Sequence, residues 1–100
     1  MRRFVLTHPD MGVYLGCMMG LGFWSKMDPA GQDTAVGFPT RDLALEHAAQ
    51  WDETPQGLST HPVEATIQQD GLWYASVADC VAAGLDGWIH ADTPVVGGMQ

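Results

Sequence analysis

Apolar and polar positions along the chain alternate in short runs, broken by proline and glycine, and only two stretches carry a helical period. Arg3-Phe4-Val5-Leu6-Thr7 reads as a first strand, and His8 to Gly12 as a turn set by Pro9 and Gly12. Val13 to Met18 reads as a second strand, because Gly16, Gly20 and Gly22 each disfavour a helix by about 1 kcal/mol relative to alanine. Phe23 to Met27 either continues this strand past a bulge or starts another. A loop over Asp28–Asp33 leads to a short strand, Thr34–Phe38.

Thr40 is placed to cap a helix, with Asp42 in its first turn. Ala44, Leu45, Ala48 and Trp51 fall on one face of that helix and predict its buried side. A polar connection spans Asp52–Pro62. Val63, Ala65 and Ile67 then alternate with Glu64, Thr66 and Gln68, the pattern of a strand with one wet face. Asp70-Gly71 predicts a tight hairpin into Leu72–Tyr74. Ser76-x-x-Asp79 has the form of a capping box opening a second helix, Val77–Ala83, with Gly84 as its stop. Asp86-Gly87 predicts another turn, Trp88–His90 a last strand, and residues 93–100 a frayed tail. The expected class is α+β: one mostly antiparallel sheet with two helices packed on it, in a single domain over residues 1–100.

The stretch Met11–Ser25 holds fifteen residues, four of them glycine, without a formal charge. A spanning helix needs about 20 apolar residues, so this run predicts a bent or bulged strand from Val13 to Trp24 that supplies the buried face of the sheet. Its Cys17–Gly20 bend is either covered by a helix or exposed as a contact patch, a choice that rests on the burial of Met18 and Met19. No secretory leader is evident, because Pro9 and Asp10 interrupt the chain before an apolar core could form. The expected setting is the cytoplasm. With 46% hydrophobic residues the chain can build a core without a disulfide or metal. Cys17 and Cys80 are expected as reduced, mostly buried thiols.

Charge changes the picture most. The formal net charge is −8, and it is unevenly laid out. Residues 1–41 hold all four basic side chains against three acids, whereas residues 42–100 hold nine acids and no lysine or arginine. Direct binding of nucleic acid is disfavoured, because it depends on lysine and arginine neutralising phosphates. A basic protein surface is the expected partner. The carboxylates expected to meet it are Asp70, Asp79 and Asp86 at turns and a helix start, Asp52 and Glu53 at a helix end, and Glu64 on the wet strand face.

Sites for chemistry are not evident. His8, His47, His61 and His90 are too widely spaced for a local metal motif, and no phosphate-binding glycine loop or dinucleotide fingerprint is present. Cys17 lies in the apolar run and Cys80 in an alanine-rich helix, so both read as packed small hydrophobes rather than nucleophiles, and no metal or cofactor is expected. An enzyme remains a rival reading, and would need His47 or His90 beside a carboxylate in a pocket. A third reading is an interaction or homodimerisation module that exposes Met11, Met18, Met19, Phe23 and Trp24.

The stretches GLGFWSK at 20–26 and AVGFPTRDLALEHA at 35–48 resemble small phage and mobile-element proteins, in which a hairpin ends in an F-[PST]-x-x-x-x-A pattern and runs into a helix. The likeness covers about the first half of the chain. Together with small size, acidity and no catalytic signature, the chain resembles anti-CRISPR proteins, phage-encoded inhibitors that bind Cas proteins. That class shares no common motif, so the resemblance implies a non-enzymatic inhibitor and carries over no residue. The implied mechanism is blocked nucleic-acid binding in a CRISPR effector, by charge mimicry or by occlusion.

Overall fold

A computed structural model describes residues 1–18 and 21–85. The class is α+β, but the strands form two antiparallel sheets rather than one. The first contains β1 (Arg2–His8), β2 (Gly12–Met18), β3 (Leu21–Ser25) and β5 (Ser59–Glu64), in the order β3-β2-β1-β5. The second contains β4 (Thr34–Gly37), β6 (Ile67–Gln69) and β7 (Leu72–Ser76), in the order β4-β7-β6. The helices are α1 (Arg41–Ala49) and α2 (Val77–Ala82).

Neighbouring side chains on a strand point to opposite faces, and this places the core on both sides of the larger sheet. Val5 and Val13 pack with Ala35 and Ala75 of the second sheet and with Val77 and Cys80 of α2. Leu6 and Tyr14, one residue on, pack with Ala44 and Ala48 of α1. The helices therefore lie against different clusters, and β1 is buried from Val5 to Thr7.

The alternating stretch Val63–Gln68 is a strand on each side of a break. Val63 and Ala65 are buried and Glu64, Thr66 and Gln68 exposed, as the alternation requires. Glu64 nevertheless ends β5 in one sheet and Ile67 begins β6 in the other. The sheets also meet at Phe4 and Phe38, whose backbones exchange two hydrogen bonds of 2.9 and 2.7 Å. That exchange explains how proline enters β5. Pro62 lies opposite Phe4, whose N–H and C=O both turn away to Phe38, so the missing N–H of Pro62 costs no ladder bond. Strand β5 thus starts at Ser59, inside the stretch expected to be connection.

The uncharged run is a hairpin, not one bent strand. β2 and β3 pair antiparallel from Val13↔Ser25 to Met18↔Leu21. A bulge lies within β2, ahead of the expected Cys17–Gly20 bend: Tyr14 faces Trp24 and Gly16 faces Phe23, leaving Leu15 as the extra residue. β3 stops at Ser25 because Met27, fully buried, takes a left-handed φ of 57° while its N–H is held by Ser25 Oγ at 3.0 Å. The run does not only feed the core: Leu21 is 65% and Phe23 47% exposed. Cys17 is exposed too, contrary to the expectation of a packed thiol, whereas Cys80 is buried. Met19, Gly20 and the Met18 side chain lie outside the described residues, as do the Asp86-Gly87 turn, the Trp88–His90 strand and the 93–100 tail.

Local signals are met closely. Asp70 and Gly71 take φ of 53° and 80° in a two-residue hairpin between Gln69 and Leu72. Helix α2 has the full capping box at Ser76 and Asp79. It ends in a Schellman motif, with Gly84 N–H on Val81 O at 2.9 Å and Leu85 N–H on Cys80 O at 2.9 Å.

Gly12 is where the β1–β2 turn meets β3. Its φ is +94°, and a Cβ there would lie 2.2 Å from the Ser25 carbonyl oxygen. Gly12→Ala is expected to cost about 1–2 kcal/mol, since both φ and space are wrong. Gly71→Asn keeps a permitted left-handed residue in open space and is expected to stay within about 0.5 kcal/mol. Urea midpoints of the two variants check the contrast.

Candidate functional site

Thr40 caps α1 by accepting from Leu43 N–H at 3.1 Å, and Asp42 lies in the first turn. Only Ala44 and Ala48 of the helix are buried, small enough to seat it on Leu6 and Tyr14. Leu45, expected on that face, is 42% exposed. The outer face presents Asp42, Leu45 and Glu46, and the carboxylates continue past the helix end with exposed Asp52 and Glu53. Among the described residues none of these four acids has an ion-pair partner.

The chain turns sharply after α1. Trp51 N–H bonds Ala48 O at 3.2 Å, and the Thr54 hydroxyl donates to the same carbonyl at 2.8 Å. The turn folds Trp51 back onto Tyr14 and Trp24, with ring centroids 5.0 and 6.2 Å away, while Tyr14 and Trp24 lie 5.3 Å apart. These rings come from β2, β3 and the end of α1, so the β2–β3 hairpin and the seating of α1 bring them together. Tyr14 is 1% exposed, and burial, with the nearby Cys17 thiol, raises its pKa. Its hydroxyl is paired with His47 Nε2 at 3.1 Å.

Two hollows flank this cluster. One, of about 440 Å³, is lined by Tyr14, Trp24 and Trp51 with Met11, Asp52 and Glu53. The other, of about 460 Å³, is apolar and lined by Tyr14, Leu15, Phe23, Phe38, His47 and Leu72 among others.

The expected carboxylates divide between places. Asp52 and Glu53 share the aromatic cleft. Glu64 and Asp79 line a smaller hollow of about 230 Å³ with Arg2. Glu64 lies 3.7 Å from the chain's amino terminus. Asp79 is largely committed internally: Oδ2 accepts from Thr66 N–H at 3.1 Å, Thr66 hydroxyl at 2.7 Å and Ser76 N–H at 3.0 Å. Burial opposes its charge, but the hydrogen bonds from Thr66 and Ser76 outweigh this and hold the carboxyl below its usual range. Asp70 stands alone at the β6–β7 turn, and Asp86 lies outside the described residues. Asp42 and Glu46 join the candidate site without having been named among the expected partner-binding carboxylates, and the grouping of Tyr14, Trp24 and Trp51 was not expected either. The four-residue spacing of Asp42 and Glu46 on a helix was the available signal.

Of the expected apolar patch, Phe23 is exposed, Met11 and Trp24 are half-buried, and Met19 with the Met18 side chain is not described. The described histidines have structural partners. His8 Nδ1 accepts from Asp10 and Met11 N–H, leaving Nε2–H to donate to Gln56 O at 2.9 Å. His61 Nε2 pairs with Ala83 O at 2.8 Å. His47 lines the apolar hollow, where no described lining residue is a carboxylate. His90 lies outside the described residues. Burial, with a smaller effect of Asp79, pushes the Cys80 thiol up to about 12, so it is not a nucleophile at neutral pH. Among the described residues no three His, Cys, Asp or Glu side chains are grouped to hold a metal ion, and no helix is long and apolar enough to cross a membrane. Against family models, curated proteins and solved structures, the chain matches none.

Proposed function

We propose that the protein is a non-enzymatic inhibitor that covers a basic surface of another protein. The observation that carries this reading is the set of exposed carboxylates, Asp42 and Glu46 on α1 and Asp52 and Glu53 just past its end, unpaired within the described residues. Exposed acids without internal partners keep their field for a cationic partner. Leu43 and Leu45, both exposed, add apolar contact beside them. The resemblance to anti-CRISPR proteins suggests a nucleic-acid-binding groove of a CRISPR effector as the surface covered. The same acidity argues against nucleic acid itself as the ligand.

The test is binding of target DNA by purified CRISPR effector complexes of several types, with and without this protein. Inhibition of one type is expected, fading several-fold as salt rises from about 0.05 to 0.3 M. The variant Asp42→Asn/Glu46→Gln/Asp52→Asn/Glu53→Gln is expected to inhibit weakly at every salt concentration. Inhibition indifferent to salt and to these substitutions would remove charge from the mechanism, and no effect on any effector would remove the CRISPR partner.

One observation favours a second reading. Among the described strands β3 is an edge of its sheet, and it exposes Leu21 and Phe23, which suits self-association or an apolar partner. A dimer in sedimentation that Phe23→Asp dissociates would move the functional surface to that edge.

A further inference from the structure

The cleft at the end of α1 combines two features. Its walls are aromatic, Trp24 and Trp51 over a buried Tyr14, and its other lining includes two adjacent carboxylates, Asp52 and Glu53. No lysine or arginine is among the described residues that line it. Aromatic faces attract cations through the ring quadrupole, and carboxylates beside them add direct charge attraction. The volume, about 440 Å³, is within the range of small-ligand sites.

We infer that this cleft is a receptor for a single arginine side chain presented by the partner protein. The inference rests on the reading of the protein as a binder of basic surfaces, and names the group that the site takes from such a surface. Arginine fits better than lysine for three reasons. Its guanidinium is planar and stacks on indole. It sheds water more readily than an ammonium ion. Its fork of N–H donors can meet Asp52 or Glu53 while its plane lies on Trp51 or Trp24. The thioether of Met11, also in the lining, offers a polarisable surface for the aliphatic stem. A neutral side chain would gain the aromatic contact alone and leave both carboxylates without a counter-charge.

The experiment uses the full ¹⁵N-labelled chain at low salt and follows the indole N–H signals of Trp24 and Trp51. The probes are a blocked tetra-arginine peptide, its citrulline counterpart, and tetra-lysine. Tetra-arginine is expected to shift both indoles to saturation, citrulline to leave them in place, and tetra-lysine to bind several-fold more weakly. Asp52→Asn/Glu53→Gln is expected to weaken tetra-arginine binding about tenfold, equivalent to 1.4 kcal/mol, with the Trp73 signal unmoved as a check on folding. Equal shifts from citrulline would overturn the cation assignment, and equal affinity for lysine would overturn guanidinium stacking. Shifts confined to Asp42 and Glu46 amides would overturn the cleft while leaving the acidic face as the binding surface. An unchanged spectrum with all three peptides would overturn both.

Discussion

Tyr14→Ala is expected to lower stability by about 3–5 kcal/mol, the largest loss available from one side chain here. Tyr14 is almost fully buried in one core cluster: it packs with Leu6 of the same sheet and with Ala44 and Ala48 of α1, and Trp24, Trp51 and His47 surround its ring. The alanines across from it cannot expand into the void, so the cavity term adds to lost transfer energy. Domains of this kind hold about 5–15 kcal/mol in total, so the substitution removes between about a fifth and the whole of the stability. Tyr14→Phe separates packing from polarity. It removes only the hydroxyl that pairs with His47 Nε2, and is expected to cost about 1 kcal/mol. Urea denaturation followed by tryptophan fluorescence checks both. A loss for the alanine variant no larger than for the phenylalanine variant would mean that the cluster is not a core.

Asp79→Ala is expected to cost about 2–3 kcal/mol. The substitution removes the reciprocal half of a capping box, and also the hydrogen bonds that tie Thr66 to the start of α2. Thr66 sits between β5 and β6, where the chain passes from one sheet to the other. The carboxylate therefore fastens a corner as well as a helix. Its pKa is depressed in the folded protein, so its stabilising effect is complete above the unfolded value of about 3.9 and is lost as pH falls through the folded value. Stability curves of the native chain and Asp79→Asn should therefore converge as the solution is acidified below pH 4 and separate above it. Curves parallel from pH 3 to pH 7 would show that the ionised carboxylate has no such role.

These two residues also mark where the sequence could be read and where it could not. The Asp79 box, the Thr40 cap, the Asp70-Gly71 hairpin and the Gly84 stop were all legible, because each is a bargain among residues a few positions apart. Division of the strands into two sheets was not legible. It depends on Arg2↔Glu64 and Thr34↔Ser76 pairings across long stretches of chain, and on a switch of sheet at Ala65–Thr66 that leaves the alternation undisturbed. Pro62 hid the beginning of β5, since its harmlessness follows only from Phe4 bonding elsewhere. The candidate site was half legible: Asp52 and Glu53 could be picked out by charge, but their aromatic companions needed the β2–β3 register and its bulge. Trp51 read as a residue under its helix, and it turned out to form a wall as well as a prop.

The place of β1 between β2 and β5 has a consequence for how the protein is made. Its partners on one side follow at once, whereas those on the other, Ser59–Glu64, leave the ribosome some fifty residues later. At about 5–20 residues per second, that interval lasts roughly 3–10 s. During it, a nascent chain already able to form its first hairpins carries a strand with one unsatisfied edge. The step that ends this exposure is the arrival of β5, so conditions that slow elongation before Ser59 lengthen the period in which nascent chains can pair with one another instead.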